Sequence, residues 1–73
     1  MQLDTRGATR DEVIETIQQS SWKDAELGKL ECRKDFTFNQ IWNKRHYSTK
    51  QVRPIFADET DKIVVITVYV YYF

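Results

Sequence analysis

Cysteine, histidine and proline each occur once in this chain of 73 residues, and glycine only twice. A lone cysteine, Cys32, excludes an internal disulfide and suits a reducing compartment. One cysteine and one histidine also fall short of a four-ligand zinc site within a single chain. The opening Met1-Gln2-Leu3-Asp4 has neither the basic nor the apolar region of a secretory leader. The longest apolar run, the 11 residues after Lys62, is well short of the roughly 20 that a membrane helix needs. No nucleophile–base triad, glycine-rich phosphate loop or paired-carboxylate site stands out, so no metal and no cofactor is expected. These deficits describe a cytoplasmic protein without a membrane span. At this size one domain, residues 1–73, is expected, and it buries only about 60% of its unfolded surface.

Net charge is zero but unevenly spread. Residues 1–27 carry three basic and six acidic side chains, residues 28–53 seven and two, and residues 54–73 one and three. A basic middle between acidic ends suits a phosphate-binding surface. It equally suits the solvated face of a sheet.

Along the chain, residues 1–8 hold little that would order them. Thr9 begins Thr-Arg-Asp-Glu, the spacing of a capping box, with Asp11 and Glu12 in a first turn whose dipole favours negative charge. A helix follows over about Arg10 to Ser20, with Ala8, Val13, Ile14 and Ile17 as a narrow apolar stripe. Trp22 starts the connection into a sheet. Gly28 opens a first strand, placing Leu30 and Cys32 on one side and Lys29, Glu31 and Arg33 on the other. Asn39 to Arg45 reads as the loop of a long hairpin, and the chain is extended again from His46 to Phe56. Pro54 removes one ladder hydrogen bond, which calls for an edge-facing amide or a bulge. Residues 57–61 read as a turn.

The run from Lys62 to Phe73 is almost wholly β-branched or aromatic, the composition of a pleated, buried surface. Strand periodicity puts Val64, Ile66, Val68, Val70 and Tyr72 on one face. Ile63, Val65, Thr67, Tyr69, Tyr71 and Phe73 fall on the other. Apolar character on both faces predicts an interior strand. The fold class expected is α+β, one N-terminal helix on a three- to four-stranded antiparallel sheet. The small helical stripe covers part of one face only, so an exposed apolar patch, and with it an interface, is expected. That interface is assigned to Tyr69, Tyr71 and Phe73, in a homodimer or a complex with a small protein.

Several stretches together carry a family resemblance. They are Arg6-Gly7-Ala8-Thr9 with its helix, Gly28 through Phe38, Gln51 through Phe56, and Ile63 through Phe73. The pattern resembles the small bacterial proteins of the domain-of-unknown-function family 4258, which usually carry a further helix with a His-Ala pair upstream. That family is similar in shape to the RelE/ParE and BrnT toxins. Such proteins cut RNA or inhibit a cellular machine and are restrained by an antitoxin. The resemblance therefore implies a toxin-like, RNA-binding or metal-independent RNA-cleaving protein, although fold likeness does not fix function.

Metal-free RNA cleavage needs a base, an acid and cations for the developing phosphorane charge. The candidates are His46, the only side chain with an unperturbed pKa near neutrality, with Arg45 and Arg33 as cations. Lys44, Lys50 and Arg53 would bind the RNA backbone. An exposed hairpin tip and a solvated sheet face explain the same residues without RNA. Tyr69, Tyr71 and Phe73 could stack bases, but aromatics are equally enriched in protein interfaces. A non-catalytic protein-binding or homodimerising module is the second reading.

Overall fold

The capping box at Thr9 forms as its spacing implies. In the computed structural model, which describes residues 7–73, the Thr9 hydroxyl accepts from the Glu12 amide at 3.1 Å. The Glu12 carboxylate accepts in return from the Thr9 amide at 2.8 Å. Helix α1 runs Arg10–Gln19, and Ser20 ends it in an extended conformation. Its buried residues are Val13, Thr16 and Ile17 rather than the full expected stripe, because Ile14 lies at the rim of the contact and stays part-exposed. Thr16 is admitted to the core because its hydroxyl donates to the Glu12 carbonyl at 2.7 Å, which satisfies the one polar group it brings. Of the stretch 1–8, residues 1–6 lie outside the described residues, while Ala8 is buried in the core.

After α1 come β1 (Lys23–Asp24), a 3₁₀ turn at Glu26–Gly28, β2 (Leu30–Glu31), β3 (Lys34–Trp42), β4 (Arg45–Glu59) and β5 (Lys62–Tyr72). All pair antiparallel in one five-stranded sheet. The α+β class is the one expected from sequence, but the sheet has five strands rather than three to four, two of them only two residues long. Gly28 does not open a strand. Leu27 and Gly28 both take positive φ (59° and 73°), closing a turn that lets β1 fold back on β2.

The central strand is β4, not the chain's last strand. It pairs with β2 and β3 on one side and β5 on the other. Among the described residues β5 pairs with β4 alone, so the expectation of an interior strand is overturned. The two-sided apolar composition has another origin. One face of β5 packs toward α1, and the other displays aromatic rings to solvent.

Pro54 sits in this central strand and is fully buried. Its tolerance follows from register. Thr49 and Phe73 exchange both backbone bonds, at 2.8 and 3.0 Å. By the alternation of antiparallel pairs, odd residues of β4 then bond to β5, while Pro54 directs its nitrogen toward the other neighbour. That neighbour is the Cys32–Arg33 break between β2 and β3, where the ladder is interrupted without a change of register. The missing amide therefore faces this break, where one ladder bond is left out.

Two expected loops are shorter than the sequence suggests. The 39–45 segment is strand up to Trp42, and Trp42 pairs directly with Arg45 across Asn43 and Lys44. Both turn residues have positive φ (53° and 66°), the backbone of a type I′ hairpin. Residues 57–59 continue β4, leaving Thr60 and Asp61 as the connection. A register shift opposite Ile55 and Phe56 also breaks the alternation of β5. Ile66 is the extra residue. Ile63 and Val65 thus join Val68 and Val70 on the helix side, in place of the expected Val64 and Ile66.

The core is Ala8, Val13, Ile17, Cys32, Val52, Phe56 and Val68, between α1 and one sheet face. Trp22 closes it, with its ring edge-on to Phe56 at 5.0 Å and its indole N–H donating to the Ile17 carbonyl at 2.8 Å. Among the described residues no helix is long and apolar enough to cross a membrane.

Candidate functional site

Strand alternation gives the sheet a second face, turned away from α1. Along β2 and β3 it carries Glu31, Arg33 and Asp35. The rows beside it are Gln51, Arg53 and Ile55 on β4, and Thr67, Tyr69 and Tyr71 on β5. Among the described residues no helix covers this face, and its polar groups find partners across the strands. Arg53 donates to Glu31 at 2.5 Å and to the Tyr71 hydroxyl at 3.3 Å, and its guanidinium lies 5.4 Å from the Tyr69 ring centre. Arg33 reaches the other oxygen of Glu31 at 3.4 Å, and Gln51 donates to Asp35 at 2.9 Å. The Arg53 hydrogen bond, opposed by partial desolvation and helped by the charges of both arginines, holds the Glu31 carboxyl below its usual range. The buried Nε of Arg53 has no acceptor among the described residues.

Beyond Arg53, the turn at Glu26–Gly28 overhangs the face and leaves a shallow cavity of about 360 Å³ bounded by Leu27, Lys29, Arg53 and Tyr69. Leu27 stands 89% exposed at its rim. Tyr69, Tyr71 and Phe73 are 41%, 42% and 57% exposed. The aromatic row expected to form an interface is thus open in the monomer.

The expected RNA-cleaving set is not gathered in one place. Arg45 and His46 are exposed beside the hairpin turn, with Arg45 5.9 Å from the Tyr47 ring centre. Arg33 lies opposite Arg53, eight residues further along β4. At about 3.3 Å per residue that separates the two groups by roughly 26 Å, several times the reach of a single phosphate site. Lys44 is in the turn with Arg45. Lys50 is on the helix side, 7% exposed, donating to the Gly7 carbonyl at 2.9 Å and to Glu12 at 2.8 Å. The six candidate residues are therefore divided between a hairpin tip, an outer face and the core.

Part of the basic middle is also paired within the fold. Arg33 and Arg53 pair with Glu31, Lys34 with Glu15 at 3.1 Å, and Lys50 with Glu12. Two acidic residues of the helix, Glu15 and Glu12, thus reach back to Lys34 and Lys50 of the basic strands. Sequence reasoning missed Glu31 as the hub of the outer face. The signal was its place in one row with Arg33, but only the strand register brings Arg53 to it. Tyr72 was also missed as the centre of an aromatic group on the helix side, with Phe38, Trp42 and Tyr47 at 4.9, 5.2 and 5.8 Å. No group of three or more potential metal ligands occurs among the described residues. No protein-family model, curated protein or solved structure matches the chain.

Proposed function

We propose that this chain is a non-catalytic protein-binding module that takes an extended protein segment along the open edge of β5. The observation that carries the reading is the character of that edge. It is long, lacks proline, has no charge after Lys62, and is flanked by the exposed rings of Tyr69, Tyr71 and Phe73. Soluble proteins usually blunt such edges, and an unblunted one is a template for strand addition. The dispersal of His46, Arg45 and Arg33 supports a non-catalytic role. The resemblance to family 4258, which implies the RNA reading below, bears on this one only through the partner it implies, an antitoxin-like protein in the cytoplasm.

One observation favours a second reading, an RNA-binding or RNA-cleaving toxin-like protein: an arginine, Arg53, lies against an exposed tyrosine row, the combination on which single-stranded bases stack. Two measurements separate the readings. In the first, amide hydrogen exchange is followed with and without an excess of a lysine-flanked, alternating valine–threonine peptide. Slowed exchange at Val68 and Val70 supports strand addition, and unchanged exchange there counts against it. In the second, the protein is induced in a bacterial host while growth and mRNA integrity are followed. Intact transcripts with normal growth support the binding module. Cleaved transcripts, restored by His46→Ala, would replace it with the RNA reading.

A further inference from the structure

The bonding pattern of β5 defines a partner as well as an edge. Because Thr49 and Phe73 exchange both backbone bonds, the odd residues 67, 69 and 71 turn their backbone groups to β4. Val68 and Val70 then turn theirs outward. We propose that the segment taken up at this edge is β5 of a second copy of this chain, paired antiparallel about a two-fold axis through Tyr69; this rests on the strand-addition reading above. In that register Val68 of each copy exchanges both backbone bonds with Val70 of the other. Tyr69 faces Tyr69 in the intervening non-hydrogen-bonded pair, where side chains come closest. Tyr71 of each copy then lies across from Thr67 of the other.

Three features select a second copy. The first is self-complementarity. An isologous contact sets like against like, and no residue from Ile63 to Phe73 is charged, so self-pairing opposes no like charges. The second is that the other edges of the sheet are blunted. The β3 edge carries Lys34 and Asp35 and a register shift beside Asn39, which has positive φ, and the two-residue β1, Lys23 and Asp24, caps β2. Among the described strands only β5 is left plain.

The third is apolar surface on both sides of the edge. Tyr69, Tyr71 and Phe73 lie on the outer side, and Ile14, Ile63 and Val65 border a groove of about 220 Å³ on the helix side. Edge pairing extends the sheet side by side, so the rings on its outer face lose only their edge-facing flanks and contribute well below the roughly 150–250 Å² that each fully buried aromatic covers. Stable complexes bury about 1,200 Å² or more in total. The strand backbones must supply most of the contact, which sets the expectation of a weak, reversible, concentration-dependent dimer.

The test is light scattering on the full chain from low micromolar to near-millimolar concentration, with hydrogen exchange in parallel. A mass that rises to that of two chains and levels there, with exchange at Val68 and Val70 slowing at least tenfold, is the expected result. A monomer throughout, or growth beyond two chains, overturns the closed pair. The register is tested with Tyr69→Lys and Tyr69→Glu, at a position exposed enough to spare the fold. Each variant alone should stay monomeric, because like charges meet on the axis, and an equal mixture should restore the dimer. A mixture that stays monomeric, or single variants that dimerise like the wild type, overturns the Tyr69 axis. A monomeric wild type whose Val68 and Val70 amides are still protected by the valine–threonine peptide would remove the second copy as partner while leaving strand addition in place. Loss of both removes both.

Discussion

Lys50 shows how a basic residue read as surface becomes structural. Its ammonium is held by the Gly7 carbonyl and the Glu12 carboxylate, and the same carboxylate closes the helix cap. Lys50→Ala should cost about 1–3 kcal/mol in denaturant titrations, because it strands two acceptors at a mostly buried position. Burial raises the Glu12 carboxyl, but the hydrogen bonds from Lys50 and Thr9 and the charge of Lys50 outweigh it, leaving the pKa below its usual value. A depressed folded pKa gives stability that is present above the unfolded value, about 4.3, and is lost as pH falls through the folded one. The thermal midpoint should therefore decline below about pH 4.3, and Glu12→Gln should flatten part of that decline. Cys32 gives a second expectation. Burial, reinforced by the charge of Glu31, pushes its thiol up to about 11, and its Sγ lies 3.5 Å from the Thr16 carbonyl. Alkylation near pH 8 should proceed only as fast as the protein opens, and rapid labelling of the native protein would contradict the burial described.

The hairpin joining β3 and β4 shows what sequence conveys about an element and what it withholds. Asn43 is at ease at positive φ, but Lys44, at 66°, is not. Lys44→Gly should stabilise the fold by about 0.5–1 kcal/mol, a rise of roughly 2–8 °C in Tm by calorimetry. A fall would mean that the lysine side chain supplies more than its backbone costs. Helix α1 was legible because a capping box is local, contained between Thr9 and Glu12. The hairpin tip was not, since neither residue is glycine and the polar run hid Trp42's pairing with Arg45. The break opposite Pro54 and the bulge at Ile66 depend on register, which no single segment contains. The role of β5 was misread for a related reason. A strand buried on both faces and an edge strand with exposed aromatics share one composition. For the candidate site, the aromatic row was legible from alternation alone, whereas the separation of His46 from Arg33 needed the length of β4.

The whole molecule measures 42 × 23 × 20 Å and hangs on a small core. Phe56 is its largest fully buried side chain, touching Trp22 and lying in the strand that every other major element packs against. Phe56→Ala should cost about 3–5 kcal/mol. A chain of this length has roughly 4–11 kcal/mol in all, so circular dichroism should show a protein close to unfolding at 37 °C. The ion pairs that fold the acidic helix onto the basic strands also shape how the protein meets other molecules. Two of them join the acidic first segment to the basic middle, and the chain as a whole has no net charge to steer a partner. Without electrostatic steering, a docking partner should arrive at about 10⁵–10⁶ M⁻¹s⁻¹, and stopped-flow rates should change little as salt is raised.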